Sequence, residues 1–127
     1  MPASDSPGTV FISNMNRAHD YGSATKYGAL RPVTTGNYPV FKTSRLIEEI
    51  IDALVHSGPE DYLLLSGSST IAGICQVVWI QLHGKCKFLL WSRDEDSYVV
   101  RVIDKPAIVL LIEETKDKLF GRQRAAG

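Results

Sequence analysis

The stretch Asp61-Tyr-Leu-Leu-Leu-Ser66-Gly-Ser-Ser-Thr70, running straight into Ile71-Ala-Gly-Ile-Cys-Gln-Val-Val-Trp-Ile80, constrains this chain more than any other. A short, wholly apolar run meets a Ser/Gly-rich corner and then a long apolar segment comfortable only as a helix. That order reads as one α/β unit: a strand buried on both faces, a tight turn, and a helix packing back across the sheet. Open α/β sheets place their ligands at the carboxyl ends of such strands, so the corner is also the first place to look for a site.

The other segments supply partners for this unit. Thr9–Ser13 is β-branched and aromatic, a strand, and the polar segment Asn14–Asp20 loops out at its end. Ser23–Gly28 reads as one or two helical turns, with Gly28 suited to a left-handed cap. Leu30–Thr35 is a second strand, and Pro32 places it at an edge or a strand start. Thr43 or Ser44 caps a helix over 44–57. In it Leu46, Ile50 and Leu54 form one apolar row and Ile47, Ile51 and Val55 the next, while Glu48, Glu49 and Asp52 point away. Both rows are expected to cover the sheet. Gly58 and Pro59 then stop the helix.

The helix from about Ser69 to His83, closed by Gly84, is apolar nearly all round and is expected to be buried on more than one side, the second side being another subunit. Lys87–Trp91 and Tyr98–Ile103 flank a short polar turn and form an antiparallel hairpin. Residues 106–112 crowd Ile, Val and Leu as a strand would, yet Ile108, Leu111, Ile112, Thr115 and Leu119 repeat at helical spacing. Pro106 suits a first turn, so a helix ending at Gly121 is expected. An apolar segment beyond a proline hinge is also one that can exchange between chains. The expected whole is a single-domain, three-layer Rossmann-like α/β fold over residues 9–121. Three parallel strands are extended by the antiparallel hairpin, with a C-terminal helix, a disordered leader at 1–8 and a frayed tail at 122–127.

Composition narrows function by exclusion. At 127 residues the chain is long enough for one real core. Fourteen basic residues balance fourteen acidic ones, so no global field steers it toward nucleic acid or an anionic membrane. Neutrality also protects weakly against self-association. Cys75 and Cys86 read as reduced, buried thiols. The N-terminus has neither the basic nor the apolar region of a signal peptide, and no apolar run reaches the roughly 20 residues a bilayer crossing needs. The expectation is a soluble, intracellular protein, in the host cytoplasm and not secreted.

Two segments are candidate ligand-binding sites. Ser66, Gly67, Ser68, Ser69 and Thr70 offer hydroxyls and free backbone N–H groups at a helix start, a natural anion seat. They lack the lysine and spacing of a P-loop and any G-x-G-x-x-G pattern. Capping by Ser68 or Ser69, with Gly67 easing the bend, is the plainer account of them. Asn16, Arg17, His19 and Asp20 follow the first strand and should emerge at the same edge. Arg17 offers a fork for phosphate or carboxylate, and His19 titrates near neutrality. Capping of turns explains Asn14 and Asp20 as well. His56 and His83 sit at helix C-termini, where capping suffices. No spacing of His, Cys or carboxylates suggests a metal, no nucleophile–base set suggests catalysis, and no cofactor is implied.

The blocks Asn16–Gly22, Lys26-Tyr-Gly28, Glu60–Gly67 and Leu82-His-Gly84 resemble a group of small tailed-phage proteins carrying N-x-A-x-H-D-Y, K-Y-G, D-D-Y-x-x-L and H-G blocks in this order. The likeness spans roughly residues 10 to 103, and the extension from Pro106 looks peculiar to this chain. The resemblance implies a viral gene and one intact domain, and transfers no catalytic residue. The leading expectation is a non-enzymatic phage accessory protein. It self-associates through the 69–83 or 106–120 helix and binds a host or phage protein. The alternative is a protein that holds a nucleotide or other phosphate-bearing small molecule between Arg17, His19 and the Ser66–Thr70 corner.

Overall fold

The computed structural model describes residues 8–126, so the expected leader lies, apart from Gly8, outside the described residues. Five strands form one sheet: β1 (Gly8–Met15), β2 (Gly28–Thr35), β3 (Tyr62–Leu64), β4 (Lys85–Ser92) and β5 (Ser97–Asp104), in spatial order β2-β1-β3-β4-β5. The first four run parallel, and β4 and β5 pair antiparallel. The parallel set therefore has four strands rather than three, because β4 pairs with β3 as well as with its hairpin partner. Pro32 lies on the edge strand β2, where its missing N–H leaves no gap in an inner ladder. Between the starts of β1 and β3, Asp61 accepts the Thr9 N–H at 2.9 Å and the Gly58 N–H at 2.7 Å.

Two helices cover one face: α1 (Thr43–Leu54) and α2 (Ser69–His83). Leu46, Ile50 and Leu54 of α1 and Ile71, Cys75 and Trp79 of α2 pack on Phe11, Leu63 and Cys86. The opposite face holds Val10, Ile12, Leu64, Leu89 and Tyr98 under a six-residue 3-10 helix, Gly22–Tyr27. Phe11 falls in one cluster and its neighbours Val10 and Ile12 in the other, as strand alternation requires.

Several local expectations differ from what is observed. Gly28 is not a left-handed cap but the first residue of β2, at φ 150°, where a side chain would fall on the Gly8 carbonyl. The N-cap of α1 is Lys42, with no side-chain cap, in place of Thr43 or Ser44. Only one of α1's apolar rows faces the sheet; Ile51 and Val55 of the second stand 40% and 52% exposed. The ends of α2 are as read: Ser68 accepts the Thr70 N–H, and Gly84 closes the helix at φ 77°. Its outer side is open, however, with Val77 65% exposed.

The last helix, α3, runs from Lys105 through Gly121, the expected stop, to Ala126. It leaves β5 with no intervening residue. Lys105 donates its N–H to the Gly84 carbonyl at 2.9 Å and its Nζ to Gln81 Oε1 at 3.1 Å. Residues 105–120 are exposed throughout, including the apolar run Ile108–Ile112. Among the described residues no helix is long and apolar enough to cross a membrane.

Candidate functional site

The connection from β1 moves outward to β2, and the next crosses back over β1 to β3. The chain therefore reverses direction at β1, and the carboxyl ends of β1, β2 and β3 splay around a crevice. Its volume is about 930 Å³, and it is lined by Asn14–Arg17 after β1, Thr35–Tyr38 after β2, and Gly67, Ser68 and Ile71 after β3.

A hydroxyl network builds the floor of this crevice. Ser13, wholly buried, donates its Oγ to the Ser66 carbonyl at 2.7 Å and accepts the Ser66 N–H at 2.8 Å. This side chain takes the place of a ladder rung just where β3 stops. Thr34 donates to the Ser13 carbonyl at 2.8 Å and to Asn14 Oδ1 at 3.1 Å, while Asn14 Nδ2 donates to the Gly36 carbonyl at 3.0 Å. Gly67 lies against this amide at φ 80°, and a Cβ there would sit 2.8 Å from Asn14. Only glycine lets the turn approach so closely.

The crevice gathers some of the candidate residues and not others. Asn16, Arg17, Gly67 and Ser68 line it together. Ser66 is turned inward, its Oγ 2.8 Å from Tyr21 Oη, which also accepts the Asn16 N–H at 3.0 Å. Asp20 accepts the Gly22 N–H at 2.8 Å and so shapes the start of the 3-10 helix. His19 lies beside the Tyr21 ring, centroids 4.9 Å apart, off the crevice. Ser69 and Thr70 face a different, apolar groove of about 480 Å³ between α1 and α2, shared with Ile47, Gly73, Ile74, Val77 and Val78.

The end of β2 and the loop after it, Thr35–Tyr38, are a part of the crevice that no motif in the sequence marks. The strand-end argument applied to β1 and β3 holds equally for β2 and would have found it. Partial burial, and then the neighbouring Glu49 carboxylate, raise the Tyr38 phenol above its ordinary value.

Among the described residues, Arg17 is the one charged residue lining the crevice; the other linings are amides, hydroxyls, glycines and apolar groups. With the first turn of α2 beside it, the chemistry suits an anion held by a guanidinium and backbone N–H groups. Among the described residues no three His, Cys, Asp or Glu side chains come together as a metal cluster. Cys75 and Cys86 are buried in the core under α2, and burial pushes both thiols up to about 12.

Fold and crevice together define a mixed α/β protein with a mostly parallel sheet and a polar opening at its carboxyl edge. The chain belongs to the Phage Pam3 gp32-like protein family, whose model matches residues 8–105, from the start of β1 to the first residue of α3. A phage-encoded family is what the motif blocks implied. No curated protein and no solved structure matches the chain.

Proposed function

We propose that this phage protein acts by associating with itself and with a partner protein, through α3. The observation that carries the reading is the exposure of Ile108, Val109, Leu110, Leu111 and Ile112, from 42% to 60% each. Five consecutive apolar side chains cover the whole circumference of a helix, and a helix apolar all round is normally buried. Covering the exposed half of each is worth roughly 1 kcal/mol. Helices in proteins draw most of their stability from such packing, and the β-branched residues here add little propensity of their own. The net charge of zero offers little repulsion between copies.

Light scattering on the purified full chain tests this. The expected result is an oligomer mass that falls to the monomer for Leu111→Asp/Ile112→Asp, two exposed positions whose replacement leaves the domain core untouched. A monomer at high concentration rejects the reading.

A second reading rests on Arg17 standing over a crevice that has no acidic lining residue among the described residues. Taken as Rossmann-like, with its switch point at β1, the sheet would hold a phosphate-bearing small molecule there. A nucleotide panel should then raise Tm, and Arg17→Ala should abolish the rise. No shift at millimolar ligand removes this reading.

A further inference from the structure

We infer that α3 of one copy docks in the apolar groove between α1 and α2 of a second copy, and that the exchange is reciprocal. This rests on the self-association reading and names the surface that receives the helix.

The groove is apolar and open to solvent. Ile47, Gly73, Ile74 and Val77 line it, and the row that starts at Ile47 continues outward through Ile51 and Val55. Nothing lies within 4 Å of the place a Cβ would take on Gly73, so α2 carries a notch there. Side chains of a third helix fill such notches when ridges pack into grooves. On α3 the seam Ile108, Leu111, Ile112, Thr115 and Leu119 has the spacing of such a ridge.

The molecule's own α3 does not fill the seat. It is pinned at the C-terminal end of α2 through Lys105, Gly84 and Gln81. The groove runs along α2 from Ser69 to Val78. With no linker between β5 and α3, the helix has no slack to fold back, and its described residues up to Phe120 stay exposed. The nearest seat of the right chemistry belongs to another copy.

The area such a seating buries is that of a stable dimer. A helix of 22 residues is roughly 33 Å long and about 10 Å across. Seating a third of its flank buries on the order of 350 Å² of helix and as much groove, so two seatings give roughly 1,400 Å². That is within the range of specific stable interfaces. A twofold axis relating the two seatings closes the assembly at a dimer.

The test is complementation, read by native mass spectrometry of full-length chains. Gly73→Glu, which meets open space in its own domain, blocks the seat; Leu111→Asp/Ile112→Asp spoils the helix. Each alone should be monomeric, and a 1:1 mixture should restore a heterodimer, because one helix and one seat remain good. The mixed dimer should bind at least about tenfold more weakly than the wild type, having one seating instead of two. Val77→Asp, at an exposed position, should repeat the Gly73→Glu result. If both groove variants stay dimeric while the α3 variant is monomeric, α3 associates elsewhere and the groove assignment fails alone. If the groove variants are monomeric but no heterodimer forms on mixing, the exchange is likewise wrong. A monomeric wild type removes the self-association reading and this inference with it.

Discussion

Ser13 on β1 and Ser66 beyond the end of β3 hold each other through two hydrogen bonds, Ser13 Oγ to the Ser66 carbonyl at 2.7 Å and the Ser66 N–H to Ser13 Oγ at 2.8 Å. The pair lies 53 residues apart in sequence and sets the angle at which the Ser66–Ser68 turn leaves the sheet. Through Tyr21, whose hydroxyl reaches both Ser66 and the Asn16 N–H, it also ties the loop after β1 to that turn.

Ser13→Ala should therefore destabilise the domain by about 1–3 kcal/mol, since it leaves a partly buried N–H and C=O without a partner. Urea unfolding measures the loss. A change below about 0.5 kcal/mol would mean that the turn is held by other contacts.

Gly67→Ala should cost about 1–3 kcal/mol, from the positive φ and from the approach to Asn14. It should also push Asn14 off the Gly36 carbonyl and so loosen the β2 loop. Faster exchange of amides in Gly36–Tyr38 is the local sign to measure.

The buried thiols give stability a definite alkaline dependence. Both Cys75 and Cys86 are raised to about 12 by burial, Cys75 further by the Cys86 charge. The folded state therefore holds protons that the unfolded state has already released. Their contribution is fully present below the unfolded value near 9 and is lost as pH rises toward 12, with a slope of roughly 1.4 kcal/mol per pH unit for each thiol. Chemical denaturation at pH 8, 9 and 10 should show the decline, and the Cys75→Ala/Cys86→Ala variant should flatten it. At pH 8 neither thiol should react with a disulfide reagent until the protein is unfolded.

What the sequence makes legible is what is decided locally. Ser68 and Gly84 bracket α2 because a cap needs only its neighbours, and the apolar run into a Ser/Gly corner marks β3 and its turn. Roles fixed by distant partners are not legible in this way. Ser66 looks like a ligand hydroxyl until Ser13 and Tyr21 are seen to occupy it. The rows Leu46–Leu54 and Ile47–Val55 are equally apolar, and only the sheet's position decides which is buried. Gly121 fails to stop α3 because a lone glycine costs a helix only about 1 kcal/mol. The crevice was half legible: β1 and β3 pointed to it, and β2 completes it from a loop with no motif of its own.

Hydrogen exchange across Ile108–Ile112, followed as a function of protein concentration, reads the burial of α3 directly. Protection of these amides that grows with concentration is the outcome expected if another chain covers the helix, by mass action. Rapid exchange, the same at every concentration, would show an uncovered and fraying helix and would contradict association through α3.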